Sequence, residues 1–305
     1  LALTFYAVDF SELIRTLLNI TLPMIVALLV LAFIMVYISA YKWRLLLAAL
    51  HQDRTSLPSS GRLFCHYLVG YFVNLIFPSY VAGDVVRSVR LGRQVGQVNA
   101  LGAVILERYT GLLAMVILAL AFIWFIPALS YQIMLVVCAM FFAVIAGTVF
   151  ALHPGTQRIL AFFPKRLAEK LHSPITKLQD GFNLVRKEPR VFGPALLLSF
   201  LFHSLTIVNT ALAGYAIGWT NPMIGELFVV VPIILLIGAI PITPQGLGLQ
   251  EGAFYYFLQM AGATPAQALS VAVVLRAKSY ILALLGGVIW WFDKNKLSSN
   301  SLEEL

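Results

Sequence analysis

Asn74-Leu-Ile-Phe-Pro78-Ser-Tyr-Val-Ala-Gly83-Asp84-Val-Val-Arg87 sets helix breakers among apolar residues and places charge directly behind them. A second stretch repeats the recipe: Gly238-Ala-Ile-Pro241-Ile-Thr-Pro244-Gln-Gly246-Leu-Gly248-Leu-Gln-Glu251-Gly252. Proline removes a backbone donor and clashes with the preceding turn, so both stretches predict interrupted helices. Each is followed by an apolar run that ends in arginine, Ala100-Leu-Gly-Ala-Val-Ile-Leu-Glu107-Arg108 and Ala268-Leu-Ser-Val-Ala-Val-Val-Leu-Arg276. The two arginines are 168 residues apart, as are the Ala-Leu pairs at 100 and 268. Asp84 precedes its arginine by 24 residues and Glu251 precedes its own by 25. A broken, charged hairpin that occurs twice in an apolar chain points to a transporter-type core.

Composition sets the class. Sixty per cent hydrophobic residues, 11% charged residues and a mean hydropathy of +0.89 exclude a soluble domain. The stretches 22–41, 109–128, 131–152, 192–217 and 267–292 are nearly unbroken apolar runs. Each suffices to cross a hydrocarbon core of about 30 Å at ~1.5 Å per residue. Backbone polar groups must be satisfied within lipid, so these runs are helices. The fold expected is all-α: a polytopic membrane protein of two inverted repeats, each with a re-entrant broken-helix hairpin. Residues 1–305 form one membrane domain, with a first repeat over 1–128 and a second over 131–292, interrupted by a basic segment at 153–190. Leu1–Val8 reads as the tail of a first membrane helix whose start lies upstream. Cys65 and Cys138 lie in separate apolar stretches and read as buried free thiols.

The net charge of +8 is unevenly spread. Residues 42–108 hold eight Lys/Arg and 153–190 hold eight more, while 191–275 hold none. The positive-inside rule puts 42–62, 87–97, 153–190 and the Lys294/Lys296 tail on the cytoplasmic side. Positive charge divided among loops between spans argues against nucleic acid as a partner. The 153–190 segment reads either as an interfacial helix on the anionic inner leaflet or as a solvated loop. Helix 22–45 then runs outside to inside and 63–93 is a hairpin entered and left from inside. In the second half, 192–217 exits, 223–262 is a hairpin opening outside, and 266–292 returns to Lys294. Each element of the second half thus opposes its counterpart, which makes the repeat inverted.

The intramembrane charges are the candidate site. Arg276 and Lys278 lie about ten residues into a helix starting near Pro265, roughly 15 Å deep. Burying such charges costs a few kcal/mol (order ~3) even on lenient insertion scales. Glu107-Arg108 enters similarly from the other side, and neighbours on a helix face different ways, so those two do not pair with each other. A cross-repeat pairing, Arg108 with Glu251 or Arg276 with Asp84, is one way to neutralise them. Asp84 and Glu251 follow glycine-bearing turns, where carboxylates either cap helix N-termini or serve a site, and the two roles are compatible. Arg87, Arg90 and Arg93 read as a stripe toward inner-leaflet headgroups or as a topology signal. His66, His203 and Asn209 read as interhelical hydrogen-bond partners. No histidine pair has metal-ligand spacing and no phosphate-binding Gly-x-x-x-x-Gly-Lys-Ser/Thr motif occurs, so neither cofactor nor metal is expected.

These motifs identify a resemblance. Asn-x-x-x-Pro-x-x-x-x-Gly-Asp-x-x-Arg at Asn74–Arg87, Glu107-Arg108, and Pro-x-Thr-Pro-x-Gly-Leu-Gly-x-x-Glu at Pro241–Glu251 resemble the lysylphosphatidylglycerol synthase transmembrane family. That family includes the flippase domain of the bacterial multiple peptide resistance factor and stand-alone flippase-like membrane proteins. The resemblance spans nearly the whole chain and implies a non-enzymatic integral membrane protein that moves lipids. The chain ends soon after Lys296, so an aminoacyl-transferase domain and lysine transfer are not expected of it. The expectation is lipid translocation across the cytoplasmic membrane by alternating access, with 153–190 and the C-terminus cytoplasmic. Its partners are a phospholipid or polyprenyl phosphate, and either a second copy or a lipid-synthesising enzyme. Substrate contacts are assigned to Arg108, Arg276, Lys278, Asp84, Glu107, Glu251, Arg87 and Asn74, and the hairpin turns to Pro78, Gly83, Pro241, Pro244, Gly246 and Gly248. Two other classes stay open: a polyprenyl-phosphate-dependent glycosyltransferase within the membrane, and a secondary transporter of a small anionic solute.

Overall fold

The computed structural model describes residues 10–51, 57–77, 81–123, 131–153, 156, 176, 179, 189–240 and 243–303. Every regular element among them is a helix. In chain order these are α1 (Phe10–Leu18), α2 (Leu22–Leu50), α3 (Ser60–Ile76), α4 (Ala82–Val95) and α5 (Gln97–Ile123). They continue with α6 (Tyr131–Leu152), α7 (Pro189–Ala216), α8 (Ile224–Gly238), α9 (Leu249–Met260) and α10 (Pro265–Glu303). Of these, α2, α5, α7 and α10 are long and apolar enough to cross a membrane by length and composition. Among the apolar side chains that α2 turns outward, Ile25, Val26, Val30 and Ile34 are 40–51% exposed. Such a surface would drive aggregation in water, whereas lipid is its natural solvent. The protein is an all-α polytopic membrane protein.

Between these long helices lie two helix–break–helix hairpins. Their arms, α3 and α4 in the first and α8 and α9 in the second, have 17, 14, 15 and 12 residues. At ~1.5 Å per residue they measure about 18–26 Å, short of the ~30 Å hydrocarbon core. Residues 63–93 are therefore not one straight helix. Pro78 and Pro241 lie outside the described residues. Pro244 begins a short 3-10 turn that ends at Gly246, and Gly248 precedes α9 with φ +83°.

Glycine lets the arms of each hairpin meet backbone to backbone. Gly83 falls within the first turn of α4 instead of in the connecting turn, and a Cβ there would strike the Gly70 carbonyl of α3. A Cβ on Gly246, at φ +67°, would likewise strike the Gly238 carbonyl at the end of α8. Small residues allow this approach, and only glycine adopts the Gly246 geometry without strain.

Packing relations in the first half recur in the second. The first arm α3 lies along α10, with Gly286 against the Leu68 carbonyl, while α8 lies along α5, where Phe122 and Phe228 stack at 4.0 Å between centroids. The second arms pack alike, α4 on α5 and α9 on α10, and α2 and α7 pack against each other.

Two boundaries differ from the sequence reading. Helix α2 runs to Leu50 instead of ending near 45, so Lys42 is an interior residue, not a marker of the helix end. The apolar run Leu45–Leu50 extends the helix beyond the charge. Helix α10 continues past 292 to Glu303. The Leu1–Val8 reading and nearly all of the 153–190 segment lie outside the described residues.

Candidate functional site

The hairpin tips converge on one cavity of about 330 Å³, within the range of small-molecule sites. All eight residues assigned to substrate contact from the sequence line it: Asn74, Asp84, Arg87, Glu107, Arg108, Glu251, Arg276 and Lys278. Apolar residues of α2, α5, α7, α8 and α10, such as Met35, Leu112, Phe202, Leu235 and Leu275, complete its wall.

In the first hairpin four charges form one network. Arg87 projects from α4 into the interior, where only 2% of it is exposed. Its Nε donates to Asp84 Oδ1 at 3.0 Å and its Nη2 to Glu107 Oε2 at 2.8 Å. Two rings flank the guanidinium, Tyr67 at 4.0 Å and Trp43 at 4.6 Å from their centroids. The attraction of a cation to aromatic faces strengthens when water is excluded, as it is here. Arg108 from α5 donates through Nε to Asp84 Oδ2 at 2.8 Å. Asn74 closes the turn, its Oδ1 accepting the Gly83 N–H at 2.6 Å.

The second hairpin achieves a similar end with fewer charges. Glu251 Oε1 accepts from Arg276 Nε at 2.6 Å, and its Oε2 accepts the Gly248 N–H at 2.6 Å. One carboxylate thus caps α9 and holds the arginine of α10. Arg276 also donates through Nη1 to the Gln245 carbonyl at 2.9 Å and through Nη2 to Gln250 Oε1 at 3.3 Å. Gln245 has φ +49°, a left-handed conformation that costs a non-glycine residue of order 1–2 kcal/mol. Its carbonyl is held by Arg276, and its side chain reaches the Tyr71 carbonyl of the first hairpin at 3.4 Å. The two hairpins touch through this residue.

Pairing therefore stays within each half: Asp84 with Arg108 and Glu251 with Arg276. The cross-repeat pairs that the sequence left open, Arg108 with Glu251 and Arg276 with Asp84, do not form, because each second hairpin arm packs on the long helix that follows it in the chain. Asp84 is not the cap of α4; Asn74 serves that turn. Arg87 leaves the expected stripe for the interior, whereas Arg93 is exposed and Arg90 lies over Trp290 at 4.4 Å and meets Asp293 at 3.3 Å.

Lys42 is the residue missed as a site candidate. Only 5% exposed, it lines the cavity and donates from Nζ to Ser199 Oγ at 3.0 Å. The apolar run that follows it was the available signal. His203 and Asn209 of α7, read as interhelical hydrogen-bond partners, also line the cavity. His203 packs beside Gly111 of α5, but His203 Nδ1 and Asn209 Oδ1 have no hydrogen-bond partner among the described residues.

Charge in the cavity divides cleanly. Asp84, Arg87, Glu107 and Arg108 sum to zero, as do Glu251 and Arg276. Lys42 and Lys278 are left over, and neither forms an ion pair with a carboxylate among the described residues. No group of three or more His, Cys, Asp or Glu among the described residues could hold a metal ion.

Two relatives from Methanothermobacter thermautotrophicus, each called a UPF0104 membrane protein, resemble the chain. One is 26% identical over 286 residues, covering 85% of this chain and 82% of the relative. The other is 25% identical over 310 aligned residues, covering 92% of this chain and 86% of the relative. No solved structure matches. The family described as the lysylphosphatidylglycerol synthase TM region matches residues 1–287, so this integral membrane protein belongs to that family.

Proposed function

We propose that the protein translocates a lipid across the cytoplasmic membrane, in the manner of a flippase or scramblase, by alternating access between two inverted halves. The observation that carries this reading is the charged cavity walled by two broken hairpins whose arms are too short to span. Half-helices that end at mid-membrane with charge at their tips are a recurrent way to hold a polar group there. The matched spacing of Asp84–Arg108 and Glu251–Arg276, and the recurring packing of α3 on α10 and α8 on α5, support a two-fold axis in the membrane plane relating 22–128 to 192–292. Membership of a family named for the membrane region of a lipid synthase supports a lipid as cargo. In this reading the headgroup sits in the cavity, Arg108, Arg276 and Lys278 face its phosphate, and the acyl or isoprenoid tail stays in the bilayer. The basic 153–190 segment and the C-terminus lie on the cytoplasmic side.

Reconstitution in liposomes tests this. Purified protein should accelerate transbilayer exchange of a labelled phospholipid or polyprenyl phosphate without ATP. Arg276→Ala should lower the rate far more than Arg93→Ala at equal protein per vesicle. Transport of a soluble anion with no lipid movement in any gradient would replace the lipid reading with a solute-carrier one.

A further inference from the structure

We infer that the headgroup this cavity takes is a terminal phosphate monoester, a compact group of charge near −2, and not a zwitterionic or ammonium-bearing one. This rests on the lipid-translocation reading and names its substrate class. Every carboxylate of the cavity is already committed: Asp84 to Arg87 and Arg108, Glu107 to Arg87, Glu251 to Arg276. An ethanolamine, choline or aminoacyl ammonium would enter and find no carboxylate that is not already neutralised by an arginine. Lys42 and Lys278, in contrast, line the same space without a carboxylate partner among the described residues.

Two ammonium groups without an ion pair inside a membrane protein are costly, and a ligand of opposite charge reduces that cost. A phosphodiester supplies one negative charge, while a monoester supplies about −1.5 to −2 at pH 7 together with three acceptor oxygens. Ammonium is a three-donor point charge suited to such a group. Lys42 is already positioned by the Ser199 hydroxyl and by the Glu107 carbonyl at 3.4 Å, so it reaches the cavity pre-oriented. Arg108 and Arg276 can still offer hydrogen bonds to the phosphate, but their charges are balanced by Asp84 and Glu251, so the surplus positive charge of the cavity is that of the lysines.

The test is exchange in vesicles that each carry one labelled lipid. The lipids are phosphatidic acid and a polyprenyl monophosphate, both monoesters, with phosphatidylglycerol and phosphatidylcholine as the monoanionic and zwitterionic comparisons. Wild-type protein should move at least one monoester about tenfold faster than either comparison lipid, the effect of one charge-assisted hydrogen bond set. The arm that responds, glycerol-based or isoprenoid, identifies the source of the phosphate. Lys42→Met and Lys278→Met should each remove most of that preference, and Lys278→Arg should retain it. Elution of the variants as monodisperse species in detergent separates lost selectivity from lost fold. Movement of phosphatidylglycerol or phosphatidylcholine as fast as both monoesters would overturn the inference while leaving lipid translocation standing. Movement of no lipid at all would overturn both.

Discussion

The two hairpins answer the same problem differently. Each begins its second arm with a carboxylate that holds an arginine one helix further on, Asp84 with Arg108 and Glu251 with Arg276. Three residues after the carboxylate, the first hairpin has Arg87 and the second has Phe254. Directly before the distant arginine, the first has Glu107 and the second has Leu275. The first hairpin thus inserts a complete ion pair, Arg87 with Glu107, its guanidinium between Trp43 and Tyr67, where the second continues its apolar core, in which Phe254 and Leu275 belong to one cluster. Capping diverges as well: Asn74 and Asp84 divide two tasks that Glu251 performs alone. One ion pair per hairpin suffices to tie its tip to the helix behind it. The added pair is a feature of the first hairpin alone.

The largest effect should come from converting the first hairpin toward the second. Arg87→Phe strands Glu107 in the interior and should cost about 3–5 kcal/mol of stability, the usual penalty for an uncompensated buried charge. The double change Arg87→Phe with Glu107→Leu recreates the apolar arrangement of the second hairpin and should recover most of that loss. Thermal unfolding in detergent measures both. A double variant as unstable as the single one would mean that the Trp43–Tyr67 niche requires the guanidinium itself.

Intermediate effects should follow from the divided and undivided caps. Glu251→Ala removes a cap and an arginine partner together and should cost about 3 kcal/mol or more. Glu251→Gln keeps an acceptor for the Gly248 N–H and should return about 1 kcal/mol of it. Asn74→Ala removes only the turn bond to Gly83 and should cost about 1 kcal/mol. Equal losses for Asn74→Ala and Glu251→Ala in the same unfolding assay would erase the distinction between the hairpins.

The smallest effect should appear one helical turn from Arg87. Arg90 pairs with Asp293, whose side chain is 49% exposed, so Arg90→Ala should cost no more than about 1 kcal/mol. A penalty as large as that of Arg87→Phe would show that the rim pair is as structural as the buried one.

Much of the site was legible because its residues break local rules. Charge in an apolar run and proline in a membrane helix each cost free energy, so Asp84, Glu107, Arg108, Glu251, Arg276 and Lys278 stand out from their neighbours without reference to partners. Lys42 did not stand out, because two cations near the end of an apolar run look like a topology signal. Arg87 was assigned to the site but also read as one of three arginines in a stripe. Its spacing to Arg90 and Arg93 is the same whether that face meets headgroups or the aromatic niche.

By itself the sequence determined the class of protein, the long apolar helices, the two interruptions and most of the charges gathered at the cavity. All of these follow from local costs: the length of an apolar run against bilayer thickness, the missing amide of proline, the price of charge in hydrocarbon. Only the tertiary structure decided who meets whom. Arg108 finds Asp84 and not Glu251, Lys42 enters the cavity, and Gln245 bridges to Tyr71. Successive residues on a helix turn by about 100°, so whether a charge faces lipid, a cavity or a partner depends on which neighbour packs there. Those neighbours are set by residues elsewhere in the chain, such as Gly70 beneath Gly83 and Leu68 beneath Gly286, whose close backbone contacts fix how the helices cross.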